Sequence, residues 1–130
     1  MLKCLTLLLT LNSCEPVFSK PETATSLNAF RTANGLPVLR SDAHLTALAR
    51  AHAEDMARRG ALDHAGFMQR RGARAENVSY GCKDTPCAIR QWAGSSGHRR
   101  NMLLPEVRSY GLAYADSRSG RRYWALELGD

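Results

Sequence analysis

Hydrophobic positions along the chain follow a helical spacing in the first half and a strand spacing near the C-terminus. The clearest helical pattern begins after Ser41 or Asp42, both good N-caps, and ends where Gly60 follows two arginines. Its apolar stripe at i, i+3, i+4 and i+7 comprises Leu45, Leu48, Ala49, His52, Ala53 and Met56. The stripe predicts an amphipathic helix with one buried face.

Weaker helical patterns surround this helix. They cover residues 23–34, the segment from Thr85 to a glycine- and serine-rich break at 94–97, and residues 98–104. Leu27 and Phe30 share a face of the first, which Gly35 stops. Pro86 suits the first helical position of the second. These patterns predict three further helical segments.

Strand patterns dominate the rest of the chain. Alternation predicts a hairpin with strands over 109–115 and 123–128 and a turn at 116–120. Residues 76–80 predict a short strand, after an ordered loop over 61–75 that contains a turn of helix around 67–70. Because helices precede strands and do not alternate with them, we expect an α+β domain.

The length and the N-terminus define how the chain is organised. A chain of 130 residues with 44% hydrophobic content suits one domain with a real core. Lys3 followed by a short apolar stretch predicts an export signal over 1–13, a tether over 14–23 and a domain over 24–130. Export predicts a periplasmic, envelope-anchored or secreted protein. Lipidation at Cys14 and cleavage near Ser19 remain alternatives.

The cysteines agree with export. Cys4 lies in the signal and Cys14 at the candidate lipid site, which leaves Cys82 and Cys87 in the domain. A disulfide between these two would close a short loop in an oxidising compartment. A metal pair is the other interpretation, but no second Cys or His pair stands nearby. We favour the disulfide.

The formal net charge of +6 comes mainly from dispersed arginine clusters. They lack interleaved aromatic residues and any nucleic-acid motif, so we expect no nucleic-acid partner. A solvated basic surface is the favoured interpretation, and a specific polyanion site is the alternative.

Histidine positions suggest where chemistry could occur. His44 is expected on the surface and His52 in the core, because only His52 lies on the apolar stripe. His64 sits in a loop that could present it to a cleft, and His98 follows a glycine. Together with Glu76, these two imidazoles could bind a divalent metal such as Zn²⁺ or serve acid–base chemistry. Their spacing alone does not bring the three together.

Several motifs in order make the chain resemble the CAP superfamily, the cysteine-rich secretory, antigen 5 and pathogenesis-related proteins with an SCP domain, and most closely its short bacterial branch. The resemblance covers nearly all of residues 24–129. The motifs are Asn28-x-x-Arg31, Gly35-Leu36-x-x-Leu39, Ala49-x-x-His52-x-x-Asp55-Met56, His64, Glu76-Asn77, Trp92-x-x-Ser95-x-Gly97-His98-Arg99-x-Asn101 and Tyr123-Trp124.

The resemblance implies a three-layer α-β-α sandwich with a central cleft that is lined by two His and two Glu and can hold a divalent ion. His64, Glu76 and His98 match three of these four positions. The fourth position, a second glutamate, has no counterpart, since 85–100 contains no acidic residue and Gln91 carries no charge. A metal site would then have three ligands completed by water, or bind metal loosely.

Other motif residues are expected to act structurally. Asn77 should satisfy backbone groups beside the cleft, and Ser96 should cap the turn that carries His98. Trp92 and Trp124 are expected in the core. Arg99 is expected to form an ion pair within the fold.

The leading hypothesis is an exported cell-envelope protein that acts through the cleft of His64, Glu76 and His98. The cleft would bind a divalent metal, a small or lipidic ligand, or an envelope component. The protein would be monomeric, with membrane attachment only through a lipid at Cys14. A metal-dependent hydrolase with Glu76 as base and a structural envelope lipoprotein with a vestigial cleft are the alternatives, so enzymatic activity stays open.

Overall fold

The computed structural model describes residues 26–130, which form one sheet with helices on both faces. The helices are α1 (Leu27–Ala33), α2 (Ala43–Arg59), α3 (Thr85–Ala93) and α4 (Ser96–Met102), and the strands are β1 (Arg40–Ser41), β2 (Ala73–Tyr80), β3 (Ser109–Asp116) and β4 (Arg122–Gly129). The predicted signal and tether lie outside the described residues. Within residues 26–130, no helix is long and apolar enough to cross a bilayer.

The sheet has the strand order β1-β3-β4-β2. The predicted hairpin is confirmed as the antiparallel pair β3 and β4, and β2 pairs antiparallel with the other side of β4. The two-residue β1 runs parallel to β3. Strand β4 is therefore an inner strand of the sheet. Successive side chains along it point alternately to the two helical layers.

Two apolar clusters fill the space on either side of the sheet. Ala53 and Met56 of α2 pack with Val78 and Ala125 on one face. On the other face, side chains of α1, α3 and α4 pack against even-numbered residues of β4, and this cluster includes Leu27, Phe30, Ile89, Trp92, Met102, Trp124, Leu126 and Leu128. This arrangement confirms the α-β-α sandwich.

Both tryptophans lie in the core as predicted. The Trp92 indole N–H donates to the Val78 carbonyl at 3.2 Å, and that of Trp124 donates to the Cys82 carbonyl at 2.8 Å. Each large ring is thus buried without an unsatisfied donor. The predicted disulfide is also confirmed, since Cys82 and Cys87 are bonded across the connection from β2 to α3.

Some predicted boundaries were wrong for local reasons. Helix α1 begins at Leu27, not Thr23, because Ser26 is its extended N-cap and accepts from the Ala29 amide at 3.0 Å. Strand β2 starts at Ala73, three residues before the predicted start.

The starts of α3 and α4 also differ from the sequence prediction. The Asp84 side chain caps α3, so Pro86 occupies the second helical position. Helix α4 begins at Ser96, with Ser95 at the N-cap position and no side-chain cap bond. Ser96 therefore does not cap the turn that carries His98.

Glycine at position 111 lets α2 approach the sheet. A β-carbon there would lie 2.1 Å from backbone atoms of Leu45 and Thr46. These atoms belong to α2, so the clash could be relieved only by moving the helix or the strand. We therefore expect Gly111→Ala to lower the free energy of unfolding by about 3 kcal/mol in urea denaturation. Gly97→Ala is the control, because its β-carbon meets nothing within 4 Å. A Gly111→Ala protein as stable as the control would contradict this packing.

Candidate functional site

Two buried glutamates lie directly opposite each other on neighbouring strands. Glu76 of β2 pairs in register with Glu127 of β4, and their side chains are 1% and 0% exposed. The carbonyls of Glu76 and Val78 accept from side chains of Asn101 and Trp92, so they point away from β4. The two glutamates therefore form a non-hydrogen-bonded pair, in which opposing side chains come closest.

One guanidinium group lies beside both carboxyl groups. Arg70 follows the 3-10 turn Phe67–Gln69, and its side chain is 10% exposed. Its Nη2 lies 2.6 Å from Glu76 Oε2, and its Nε lies 3.1 Å from Glu127 Oε1. Neither contact is aligned as a hydrogen bond. A single positive charge thus faces two acidic groups in a nearly dry position.

A shared proton resolves the remaining conflict between the two acids. Burial and the neighbouring Glu76 carboxylate raise the pKa of Glu127 to about 9, against the opposing effect of Arg70. Burial alone would raise the pKa of Glu76, but the neighbouring Glu127 carboxyl, the hydrogen bond with His64 and the charges of His52 and Arg70 lower it overall. At neutral pH Glu76 is therefore ionised and Glu127 is protonated.

The structure brings His64 and Glu76 into contact. His64 Nδ1 lies 2.7 Å from Glu76 Oε1, and the His64 side chain remains 54% exposed. Asp63 anchors the preceding backbone, since Arg59 donates to its carboxylate and its carbonyl contacts His52 Nε2 at 2.8 Å. The loop thus holds one ring nitrogen of His64 on a buried carboxylate while much of the ring meets solvent.

His52 has a second role that the sequence did not reveal. Its predicted burial is confirmed at 3% exposure, and the predicted surface position of His44 is confirmed too. However, His52 Nε2 also lies 3.6 Å from Glu76 Oε1. The same carboxyl oxygen therefore has imidazoles of both His52 and His64 close to it.

His98 belongs to α4, in the opposite helical layer, and is near enough to His64 to feel its charge. The Asn77 side chain donates to the His98 carbonyl at 2.9 Å and accepts from Asn101 at 3.0 Å, which confirms the backbone role predicted for Asn77. The His98 ring lines a cavity of about 390 Å³, with Leu62 and Tyr80 at its mouth. Burial and then the charge of His64 lower the pKa of His98, so its ring is neutral at neutral pH.

The predicted three-ligand metal site stays a prediction. Across residues 26–130, no group of three or more His, Cys, Asp or Glu side chains is arranged to hold a metal ion. Glu76 is directed at His64 and Arg70, whereas His98 lines a cavity that none of His64, Glu76 and Arg70 lines.

Besides the second role of His52, sequence reasoning missed two residues of the site, Glu127 and Arg70, and it misjudged Arg99 outside the site. Glu127 was detectable as a lone acid among apolar strand residues, but nothing distinguished Arg70 from the other arginines. Arg99, predicted in an ion pair, instead lies 5.0 Å from the Phe30 ring centroid and donates to Asn34 Oδ1 at 3.2 Å. Its partners are an aromatic face and a neutral amide, not a carboxylate.

Comparison with known proteins places this chain in a family. The model of the CAP family, the cysteine-rich secretory protein family, matches residues 25–128. The chain belongs to the CAP family. The protein YkwD of Bacillus subtilis is 32% identical to this CAP domain over 104 residues, which is 71% of the chain and 40% of YkwD. The chain thus spans about two fifths of the length of that curated relative.

Solved structures share the fold of this CAP domain. An outer surface protein of Borrelia burgdorferi superimposes with a TM-score of 0.67 at 15% identity, covering 80% of this chain and 86% of that one. NaASP2, solved with Zn²⁺, gives a TM-score of 0.58 at 18% identity, covering 72% and 60%. At these identities the likeness concerns the fold alone.

The proton assignment makes Arg70 and Glu127 unequal in their effect on stability. We expect Glu127→Gln to change the free energy of unfolding by less than about 1 kcal/mol at neutral pH, because glutamine, like the protonated acid, is uncharged and nearly the same size. Arg70→Met should cost about 3 kcal/mol, since it removes the cation beside a buried carboxylate. Urea denaturation measures both changes, and Arg71→Met is the control on an exposed neighbour. Equal losses in the Glu127 and Arg70 variants would contradict the assignment of the proton to Glu127.

Proposed function

We propose that this protein is an extracytoplasmic CAP domain that binds a divalent metal ion between His64 and His98. The contact that carries the proposal is His64 Nδ1 to Glu76 Oε1 at 2.7 Å. Metal-binding histidines commonly donate their second ring nitrogen to a carboxylate, which fixes the tautomer and the ring orientation. Here that arrangement leaves Nε2 of His64 as the metal-binding nitrogen.

The two histidines suit weak binding of a divalent metal ion of borderline hardness. The lowered pKa of His98 keeps its ring neutral and able to donate a lone pair. Glu76 is 1% exposed and already engaged, so it orients His64 and does not supply a ligand itself. Two imidazoles favour Zn²⁺, Cu²⁺ or Ni²⁺ over Mg²⁺ or Ca²⁺. When bound, such an ion would act as a Lewis acid toward water or ligand oxygens in its open positions.

A small amphipathic molecule in the adjacent cavity is the second candidate ligand. The 390 Å³ cavity combines apolar surface from Leu62 and Trp92 with polar groups from Ser95 and His98. Its size and mixed lining are typical of small-molecule sites. A ligand there would contact His98 and could also complete the coordination of a metal.

The contacts of Glu76 argue against the hydrolase alternative. A general base must have a carboxylate oxygen free to take a proton from water. One Glu76 oxygen accepts from His64 and the other faces Arg70 at 2.6 Å. Glu76 therefore serves better to position His64 than as the base of a metal-dependent hydrolase.

Three observations support an extracytoplasmic location. The Cys82–Cys87 disulfide suits an oxidising compartment. The pattern of residues 1–13 is that of an export signal. The Borrelia burgdorferi protein that shares the fold is an outer surface protein. Attachment by a lipid at Cys14 and release by cleavage near Ser19 are the two forms that this proposal allows.

Metal titration of histidine variants tests the proposal. By calorimetry with Zn²⁺, we expect one weak site in the native protein and a loss of affinity of about tenfold or more in His64→Ala and in His98→Ala. Glu76→Gln should also lower affinity by about tenfold or more, because it removes the group that orients His64. Affinity should fall on acidification as well, since protons compete with metal for imidazole.

His44→Ala is the matched control, because His44 is an exposed histidine at the start of α2, away from the proposed metal site. It should bind Zn²⁺ like the native protein. Unchanged affinity in both His64→Ala and His98→Ala, with folding intact by circular dichroism, would refute the metal site. A structural role with a vestigial cleft would then be the better account.

A further inference from the structure

A second concave surface lies between the C-terminal end of α2 and the turn that joins β3 to β4. Its volume is about 730 Å³, and it shares no lining residue with the cavity beside His98. We refer to it as the arginine groove. Its charged lining residues are Arg58, Arg59, Arg118, Arg121, Glu54 and Asp116, which is four positive charges against two negative charges, or a formal +2.

The four arginines of the groove differ in whether they already form ion pairs within the fold. Arg58 and Arg59 pair with acids in and just after α2, including Asp55. Asp116 is paired with Arg122 at 2.8 Å. In contrast, Arg118 and Arg121 have no carboxylate partner among residues 26–130. Their guanidinium donors are available to a ligand.

The fold holds one of these two arginines in place. The Arg121 guanidinium lies 4.5 Å from the centroid of the Tyr80 ring, and its backbone amide donates to Ser117 Oγ at 3.1 Å. Stacking on an aromatic face restrains a guanidinium without occupying its N–H groups. Ser117 and Ser119, whose hydroxyls lie 2.9 Å apart, add donors to the lining.

Two features of the groove oppose anion binding: the carboxylate of Glu54, which has no ion-pair partner among residues 26–130, and the C-terminal end of α2. The C-terminal end of a helix carries partial negative charge, which favours cations. At the end of α2, the amides of Gly60 and Ala61 both donate to the Met56 carbonyl, and Arg58 and Arg59 occupy the last turn. The helix end therefore has its own compensating donors and charges, and the two positive charges of Arg118 and Arg121 exceed the one negative charge of Glu54.

We propose that the arginine groove binds the phosphate groups of a linear polymer, such as an oligophosphate or a phosphodiester-linked envelope chain. Guanidinium groups pair with phosphate oxygens through two parallel hydrogen bonds. The volume exceeds what one phosphate would fill. This proposal is independent of the metal site between His64 and His98.

Fluorescence anisotropy with labelled linear polyphosphate tests the groove. We expect the native protein to bind at low salt and the double variant Arg118→Gln/Arg121→Gln to bind about tenfold more weakly or worse. The slope of log affinity against log salt should fall by roughly 1–2, as two phosphate contacts are lost. Arg90→Gln/Arg100→Gln is the charge-matched control, because both residues are exposed on α3 and α4. It should retain most of the native affinity.

Three outcomes would overturn the proposal. These are no binding by the native protein, equal weakening in the two double variants, and preferential binding to phosphatidylglycerol vesicles that saturating polyphosphate does not displace. Thermal unfolding checks that the groove variants fold, and Arg118→Gln alone provides a variant at an exposed position of the β3–β4 turn. His64→Ala/His98→Ala should bind polyphosphate normally, which separates this test from that of the metal site.

Discussion

The rest of the candidate site depends on how the sheet accommodates two buried glutamates side by side. Glu76 and Glu127 face each other on adjacent strands, where two negative charges would repel strongly in a dry environment. One proton on Glu127 and one guanidinium from Arg70 remove that conflict. Arg70 belongs to the loop that also carries His64. The contacts of Arg70 with the two glutamates therefore also hold the loop that presents the candidate metal ligand.

This arrangement couples stability to pH in two opposite ways. The pKa of Glu127 is raised to about 9, so its bound proton contributes stability in full below an ordinary pKa of about 4.3 and loses it as pH rises through 9. The pKa of Glu76 is lowered, so its contribution is present above its ordinary pKa and is lost as pH falls. The pair is therefore held best in its one-proton form. Buried ion pairs often add little net stability compared with apolar residues of the same size. We therefore assign this cluster the role of positioning His64.

The sequence predicted the parts of the fold whose patterns are local. The stripe through His52 predicted α2, alternation predicted the terminal hairpin, and family resemblance supplied the sandwich and the nearness of His64 to Glu76. Strand β1 is too short to show a period. Arg70 could not be assigned, because a long side chain from an irregular loop finds its partners only in three dimensions. The partner of Arg99, the Phe30 ring, is likewise set by the three-dimensional fold, so the expected ion pair of Arg99 does not form.

The protonation of Glu127 at neutral pH tests the central claim most directly. Carbon-13 NMR of protein labelled at the glutamate carboxyl carbons, assigned with Glu127→Gln, would follow each group through titration. We expect one buried glutamate that stays protonated until about pH 9 and whose signal is absent from the variant. Titration of every glutamate near the ordinary value of about 4.3 would contradict the shared proton.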